Sequence, residues 1–162
     1  MYKKLFFIIA LPFMIFACVK SAPSSSCGYS TPTAVAPANE IATLKTYLDA
    51  NSLPYTQHPS GIFYKIVTPG SGATPGVCSN VTVKYSGRLT TSTTPFDQNT
   101  TGVTFTLGQL ILGWQIGIPL VQKGGSIILY IPPTLGYGAS GAGASIPPNS
   151  YLIFTIDLMD VK

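Results

Sequence analysis

Few residues of this chain could perform acid–base, metal or nucleophilic chemistry, and the stretch richest in recognition groups contains almost none of them. Residues 108–138 hold the single tryptophan, Trp114, within Leu110-Ile111-Leu112-Gly113-Trp114. An apolar run over 127–131 follows, then a loop reading Gly136-Tyr137-Gly138 and, further on, Ile146-Pro147-Pro148. Aromatic and aliphatic groups in this density imply an apolar pocket, and such a pocket suits an uncharged, extended peptide. His58 is the only histidine and no Cys-x-x-Cys occurs, so the spacing supports no metal site. No Ser/His/Asp or Cys/His constellation is present either, and nothing calls for a cofactor.

The bulk numbers point the same way. Charged residues make up 9% of the 162, against roughly 25% in ordinary soluble domains. Apolar residues reach 46%, with 16 glycines, so the chain reads as a packed, turn-rich fold and not as disorder. The net charge of +4 includes Lys3 and Lys4, which lie in a segment expected to be removed. The remaining basic residues are scattered without aromatic interleaving, which argues against nucleic acid as a partner.

Lys3-Lys4 followed by an apolar run over 5–17 has the form of a secretory signal, and the run is too short for the roughly 20 residues of a membrane span. It ends in Ile15-Phe16-Ala17-Cys18, which resembles a bacterial lipobox. That predicts a signal peptide over 1–17, lipidation of Cys18 and attachment to a membrane of the bacterial cell envelope, facing the periplasm. The alternative is an ordinary secretory signal with an incidental cysteine. Residues 18–38 are rich in Ser, Pro, Ala and Thr and read as a tether. Cys27 and Cys78 can pair in only one way in an oxidising compartment; otherwise they are two free thiols.

The pocket residues need a scaffold, and the periodicities supply one. Asn39 after Pro37 predicts a helix cap, and Ile41, Leu44, Tyr47 and Leu48 recur at helical spacing within a predicted N-terminal helical segment over 39–52. From Gly61 onward the pattern is β. Strands are predicted over 62–67, over 81–89 with Val81, Val83 and Tyr85 on one face, and around Val103, Phe105 and Leu107. Two more fall on 127–131, continuously apolar as in a central strand, and on the alternation Leu152, Phe154, Ile156 and Leu158. Residues 112–118 form a short helix stopped by Pro119. The fold class is therefore α+β: an antiparallel sheet of five or six strands wrapped around a short helix.

These elements carry a set of motifs in a fixed order. Val81-Thr82-Val83-Lys84-Tyr85-Ser86-Gly87 looks like a V-x-V-x-Y-x-G strand, and Phe96-Asp97 like the start of an F-D-S-S loop. Phe105-Thr106-Leu107-Gly108 with Ile111-Leu112-Gly113-Trp114 looks like F-x-L-G followed by V-I-x-G-W. Ile131-Pro132-Pro133 with Tyr137-Gly138, and Ile146-Pro147-Pro148 with Leu152-Ile153-Phe154, complete the series. Each motif alone is weak, but their order and spacing together resemble the FK506-binding type of peptidyl-prolyl cis–trans isomerase over about residues 61–162. The isomerase domain is accordingly set at 58–162, with the half-barrel sheet of that family.

The resemblance assigns roles. Tyr85, Asp97 and Tyr137 stand at the catalytic positions; Phe96, Val103, Ile111, Trp114 and Phe154 line the substrate site, with Trp114 as its floor. The Ile111 amide and the Tyr137 hydroxyl are expected to hydrogen-bond substrate carbonyls. Val103 stands where the family often has an aromatic wall, and the basic residue that often partners the aspartate is missing from the loop over 98–102. The loop over 139–145 is all small residues. The implied activity is rotation of X-Pro bonds in exported proteins, with proline-containing polypeptides as substrates, macrolides as possible inhibitors and a lipid-held membrane as the anchor. The alternative is a proline-peptide-binding chaperone module with little or no turnover.

Overall fold

The structure, a computed structural model, describes residues 27–162. The predicted signal peptide, Cys18 and the first part of the predicted tether lie outside the described residues. Six antiparallel strands form one sheet in the order β1-β2-β5-β6-β3-β4. They are β1 (Thr56–Gln57), β2 (Phe63–Thr68), β3 (Asn80–Leu89), β4 (Pro95–Thr106), β5 (Ser126–Ile131) and β6 (Leu152–Val161). Two helices accompany them, α1 (Ala38–Ala50) and α2 (Leu112–Gly117).

Each helix covers a different face of the sheet, and strand alternation divides the side chains between them. Ile127, Leu129 and Ile131 of β5 and Leu152, Phe154, Ile156 and Leu158 of β6 join Trp114 and Ile118 in the main core. Tyr130 and Ile153 point the other way and pack with Phe63 beneath Leu44 and Leu48 of α1. The unbroken apolar run of β5 thus has a cause: it is a central strand with both faces covered.

Helix α2 lies close on β5 because two glycines one turn apart face it. A Cβ on Gly113 would meet the Ile131 side chain at 2.6 Å, and one on Gly117 would meet Leu129 at 2.5 Å. Pro119 does not end the winding, as predicted for 112–118. It sits in a following 3₁₀ turn, Ile118–Leu120, where its missing N–H is no loss.

Two local expectations are corrected. Asn39 is not the cap of α1: Pro37 precedes the first helical residue with φ −57°, and Asn39 lies inside, its carbonyl accepting the Thr43 hydroxyl at 2.8 Å. Residues 98–102 are not a free loop but a bulge within β4, where the register passes from Val83↔Val103 to Tyr85↔Asn99. The Asn99 Oδ1 accepts the amides of Thr101 (3.1 Å) and Gly102 (2.7 Å), and Gly102 adopts φ +113°. A side-chain acceptor and a glycine absorb the extra residues.

The described part of the predicted tether, residues 27–37, is extended but docked. Cys27 and Cys78 form a disulfide with Cα atoms 5.7 Å apart. The Tyr29 ring lies where a Gly108 side chain would stand. Ala36 is buried, and its amide donates to the Ser60 carbonyl at 2.9 Å.

Candidate active site

Between the end of β4, the start of α2 and the loop after β5 lies an open cavity of about 200 Å³. Its wall comprises Tyr85, Phe96, Asp97, Phe105, Leu110, Ile111, Trp114, Tyr137 and Phe154. Trp114, on the first turn of α2, is 4% exposed and belongs at once to the cavity and to the main core. Three rings stand edge-on around it: Phe154 at 5.1 Å, Tyr85 at 5.3 Å and Phe105 at 6.3 Å between centroids. Phe96 packs at 5.7 Å against Phe154 in turn. Edge-to-face pairs of this kind contribute about 0.5–1.5 kcal/mol each beyond area burial, so the floor is held in place before any ligand arrives. The indole Nε1 is buried without a hydrogen-bond partner among the described residues.

The aromatic wall depends on one missing side chain. A Cβ on Gly87 would collide with the ring of Phe154 and meet Phe96 at 2.9 Å. Gly87 of β3 therefore lets both rings close over the strand.

Polar groups are few and sit at the rim. The Tyr85 hydroxyl donates to Oδ2 of Asp97 at 2.6 Å. Burial first, then that bond and the aspartate's charge, push the Tyr85 phenol up to about 12. Tyr137 is raised as well, by burial and then by the charge of Asp97. Both phenols therefore remain protonated donors at neutral pH. No described residue hydrogen-bonds the Tyr137 hydroxyl.

Ile111 immediately precedes α2 with φ −58° and ψ 149°, and its amide donates to no carbonyl among the described residues. Gln115 holds this turn from one side, its Nε2 donating to the carbonyls of Leu110 (2.6 Å) and Gly108 (3.3 Å). The Tyr137 loop is held from the other side by α1. The Glu40 carboxylate accepts the Thr134 amide at 2.9 Å and its hydroxyl at 2.7 Å, within the 3₁₀ turn Pro133–Leu135.

Of the sequence-predicted site residues, Tyr85, Phe96, Asp97, Ile111, Trp114, Tyr137 and Phe154 converge on the cavity. Val103 does not. It pairs with Val83 along the edge strand, two residues before Phe105, and a two-residue step along a strand is about 6.6 Å. Phe105 provides the aromatic wall instead, and Leu110 joins it. Both were missed at the sequence level, although Phe105 shares a strand face with Val103 and ends one arm of the Tyr85–Trp114 cluster.

A family model described as FKBP-type peptidyl-prolyl cis-trans isomerase matches residues 72–159. The chain belongs to the FKBP-type peptidyl-prolyl cis–trans isomerase family. A probable FKBP-type isomerase of Haemophilus influenzae is 48% identical over 64% of this chain and 44% of its own length. Outer membrane protein MIP of Legionella longbeachae is 40% identical over 64% of this chain and 46% of that protein. The chain thus spans under half the length of these two curated relatives. It covers 99% of FK506-binding protein 1 of Dictyostelium discoideum, at 40% identity over 63% of this chain. Among solved structures, FkpA from Escherichia coli superposes with a TM-score of 0.69 at 36% identity, over 77% of this chain and 60% of that one. An isomerase from Pseudomonas syringae gives 0.68 at 32% identity, over 78% and 97%.

Proposed function

We propose that this FKBP-type chain catalyses rotation about X-Pro bonds of exported polypeptides, at the cell envelope. One observation carries the reading: an open apolar cavity floored by a fixed indole, with two hydrogen-bond donors at its edge, the Ile111 amide and the Tyr137 hydroxyl, that no described residue uses.

Amide resonance sets a rotation barrier of about 18–20 kcal/mol, and uncatalysed X-Pro isomerisation takes tens to hundreds of seconds. No bond breaks, so no nucleophile or base is needed. The planar amide is more polar than the twisted one, which has lost its resonance. Moving the prolyl ring from water onto Trp114, among Phe154, Phe105 and Tyr85, therefore favours the twisted state. Donors at Ile111 and Tyr137 hold the flanking carbonyls so that only the prolyl bond turns. A thousandfold acceleration requires about 4 kcal/mol, and one or two oriented hydrogen bonds supply about 1 kcal/mol each, leaving desolvation to provide the rest.

The binding-module alternative rests on Val103 as a missing wall, on the missing basic partner of Asp97 and on the small-residue loop over 139–145; Phe105 supplies the wall, and the other two features stand. A macrolide of the kind named for the FK506-binding relative would occupy the same cavity. Envelope localisation draws on the lipobox-like segment, on a disulfide that calls for an oxidising compartment, and on a relative named as an outer membrane protein. The lipid on Cys18 remains part of the proposal and is tested by mass spectrometry of the membrane-extracted chain.

The deciding experiment is a proline-peptide isomerisation assay on the purified chain. Wild type turns over, and Trp114→Ala and Tyr137→Phe each lower kcat/KM at least tenfold. Wild-type turnover in both variants would overturn the assignment.

A further inference from the structure

Tyr137 offers its hydroxyl from a loop whose side-chain polar support comes from elsewhere in the chain. Before it, the Leu135 amide donates to the Pro132 carbonyl at 3.1 Å and the Gly136 amide to the Pro133 carbonyl at 2.9 Å. After it, the Gly141 amide donates to the Tyr137 carbonyl at 3.2 Å and the Asn149 amide to the Gly138 carbonyl at 2.9 Å. These four bonds stay within residues 132–149. Leu135 is fully buried in the main core and gives the turn an apolar anchor. Among the described residues, Glu40 is the one side chain that hydrogen-bonds residues 132–138, through both carboxylate oxygens to Thr134. Glu40 is firmly mounted on the first turn of α1. Leu44 and Leu48, further along that helix, are 1% and 0% exposed and pack with Phe63, Tyr130 and Ile153. Ile41 lies over the bare backbone of Gly61, where a Cβ would meet its side chain at 2.7 Å. No lysine or arginine among the described residues pairs with Glu40. The contact joins residues 94 apart, and α1 lies before the stretch 72–159 that the family model matches.

We propose that Glu40 is a positioning residue for the isomerase site: through its carboxylate, α1 sets where the Tyr137 hydroxyl stands over the cavity. The inference rests on the isomerase reading above and adds to it an element from outside the matched stretch. Only Leu135 and Gly136 separate Thr134 from Tyr137. Gly136 has no Cβ to limit its dihedrals, so the turn ahead of it must be fixed from outside if the phenol is to keep its place. The two bonds from Glu40 do this at both polar groups of Thr134, its amide and its hydroxyl. Placement matters because a displacement of about 1 Å can cost on the order of a hundredfold in rate. A residue that acts only through the Tyr137 hydroxyl can lose no more than Tyr137→Phe loses. The loss expected on removing Glu40 is a fraction of that, roughly three- to tenfold.

The test is a double-mutant cycle on the full chain: wild type, Glu40→Ala, Tyr137→Phe and the two together. Proline-peptide exchange is measured by NMR, with protein concentration raised for the slow variants, at a temperature where urea curves show every variant folded. Glu40→Ala lowers kcat/KM by roughly three- to tenfold when Tyr137 keeps its hydroxyl, and by less than about 1.5-fold in Tyr137→Phe. A role confined to general stability would give the same factor in both backgrounds. Glu40→Gln keeps an oxygen for the Thr134 amide and returns to within about threefold of wild type. Lys45→Ala breaks the Lys45–Asp49 pair on the exposed face of the same helix and keeps the wild-type value. If Glu40→Ala does not fold, Thr134→Val, which deletes only the hydroxyl half of the contact, takes its place in the cycle with a loss of roughly two- to threefold. Wild-type kcat/KM in Glu40→Ala, or an equal loss with and without the Tyr137 hydroxyl, would overturn the inference. Absence of turnover by the wild-type chain would overturn the isomerase reading instead.

Discussion

Replacing Cys27 and Cys78 together by serine tests how the segment before α1 is held. The bond links positions 51 residues apart. In the loop-entropy account, cross-links over loops of 15 and 100 residues contribute about 3 and 4.7 kcal/mol, and a loop of this length about 4 kcal/mol. The native Cα separation of 5.7 Å is ordinary for a disulfide, so the folded state should not offset that gain through backbone distortion. Against a total stability of about 5–15 kcal/mol this is large. For the roughly 140 described residues the unfolding entropy is about 0.3 kcal/mol per kelvin, so the melting temperature is expected to fall by about 14 °C. Urea unfolding followed by Trp114 fluorescence measures the free energy, in the oxidised wild type, in the wild type with reductant and in the double variant. The two thiol-free or reduced samples should agree. No cavity-lining residue lies on the strap, so kcat/KM at 25 °C should stay within about tenfold of wild type. A loss below 1 kcal/mol at unchanged m-value would refute the reasoning. It would mean that Tyr29 and Ala36 dock without the bond, or that the bond does not form.

Three further perturbations probe the site and its supports. Tyr85 has a folded pKa of about 12 against an ordinary 10, so its contribution to stability is complete below pH 10 and disappears as pH rises through about 12; Tyr85→Phe should therefore flatten part of the alkaline stability loss in that window and leave the pH 6–9 range unchanged in slope, as followed by urea midpoints against pH. Glu40→Ala removes both acceptors from Thr134 and should cost about 1–2 kcal/mol, with faster hydrogen exchange at residues 134–138; unchanged exchange there would show that α1 does not hold the Tyr137 loop. Gly117→Ala gains about 1 kcal/mol of helix propensity but places a methyl 2.5 Å from Leu129, an overpacking worth about 1–3 kcal/mol; the net loss expected in urea unfolding would be contradicted by any stabilisation.

What could be read from the sequence was whatever a single buried face imposes. Val81 and Val83, and Leu152 through Leu158, alternate because only one side of each strand meets the main core. The pocket residues on β3, α2 and β6 were legible because their motifs stand in fixed order. Other features had no periodic signal. The beginning of β4, Pro95 to Asn99, is an edge strand with polar side chains on both faces; its first residue is a proline, which edge strands tolerate. The bulge depends on where Asn99 aims its Oδ1, which is a tertiary matter. Val103 was preferred over Phe105 because position in a motif was taken as position at the site. The bulge and the twist of the edge decide which of two same-face residues reaches Trp114. The docking of residues 27–37 was hidden by composition: Ser, Pro, Thr and Ala look like a linker, while the disulfide, the bare backbone at Gly108 and the buried Ala36 with its hydrogen bond to Ser60 draw them onto the domain.

The floor and the rim of this cavity have different physical status, and that governs which experiments are informative. Trp114 and Phe154 are 4% and 3% exposed and belong to the main core. Truncating either removes a core side chain, at about 3–5 kcal/mol, as well as the prolyl platform. A loss of activity there can follow from a loosened fold alone. Asp97 is exposed and Tyr137 only partly buried at the edge of the main core, so Asp97→Asn and Tyr137→Phe, which keep the ring and the side-chain volume, alter charge and hydrogen bonding while the aromatic box stays assembled. Rim variants that change kcat/KM without changing the urea midpoint therefore report on chemistry, and floor variants do so only when their stability loss has been measured and subtracted. A rim that proved silent in turnover, above an intact floor, would leave a pocket that binds proline peptides without hastening their rotation.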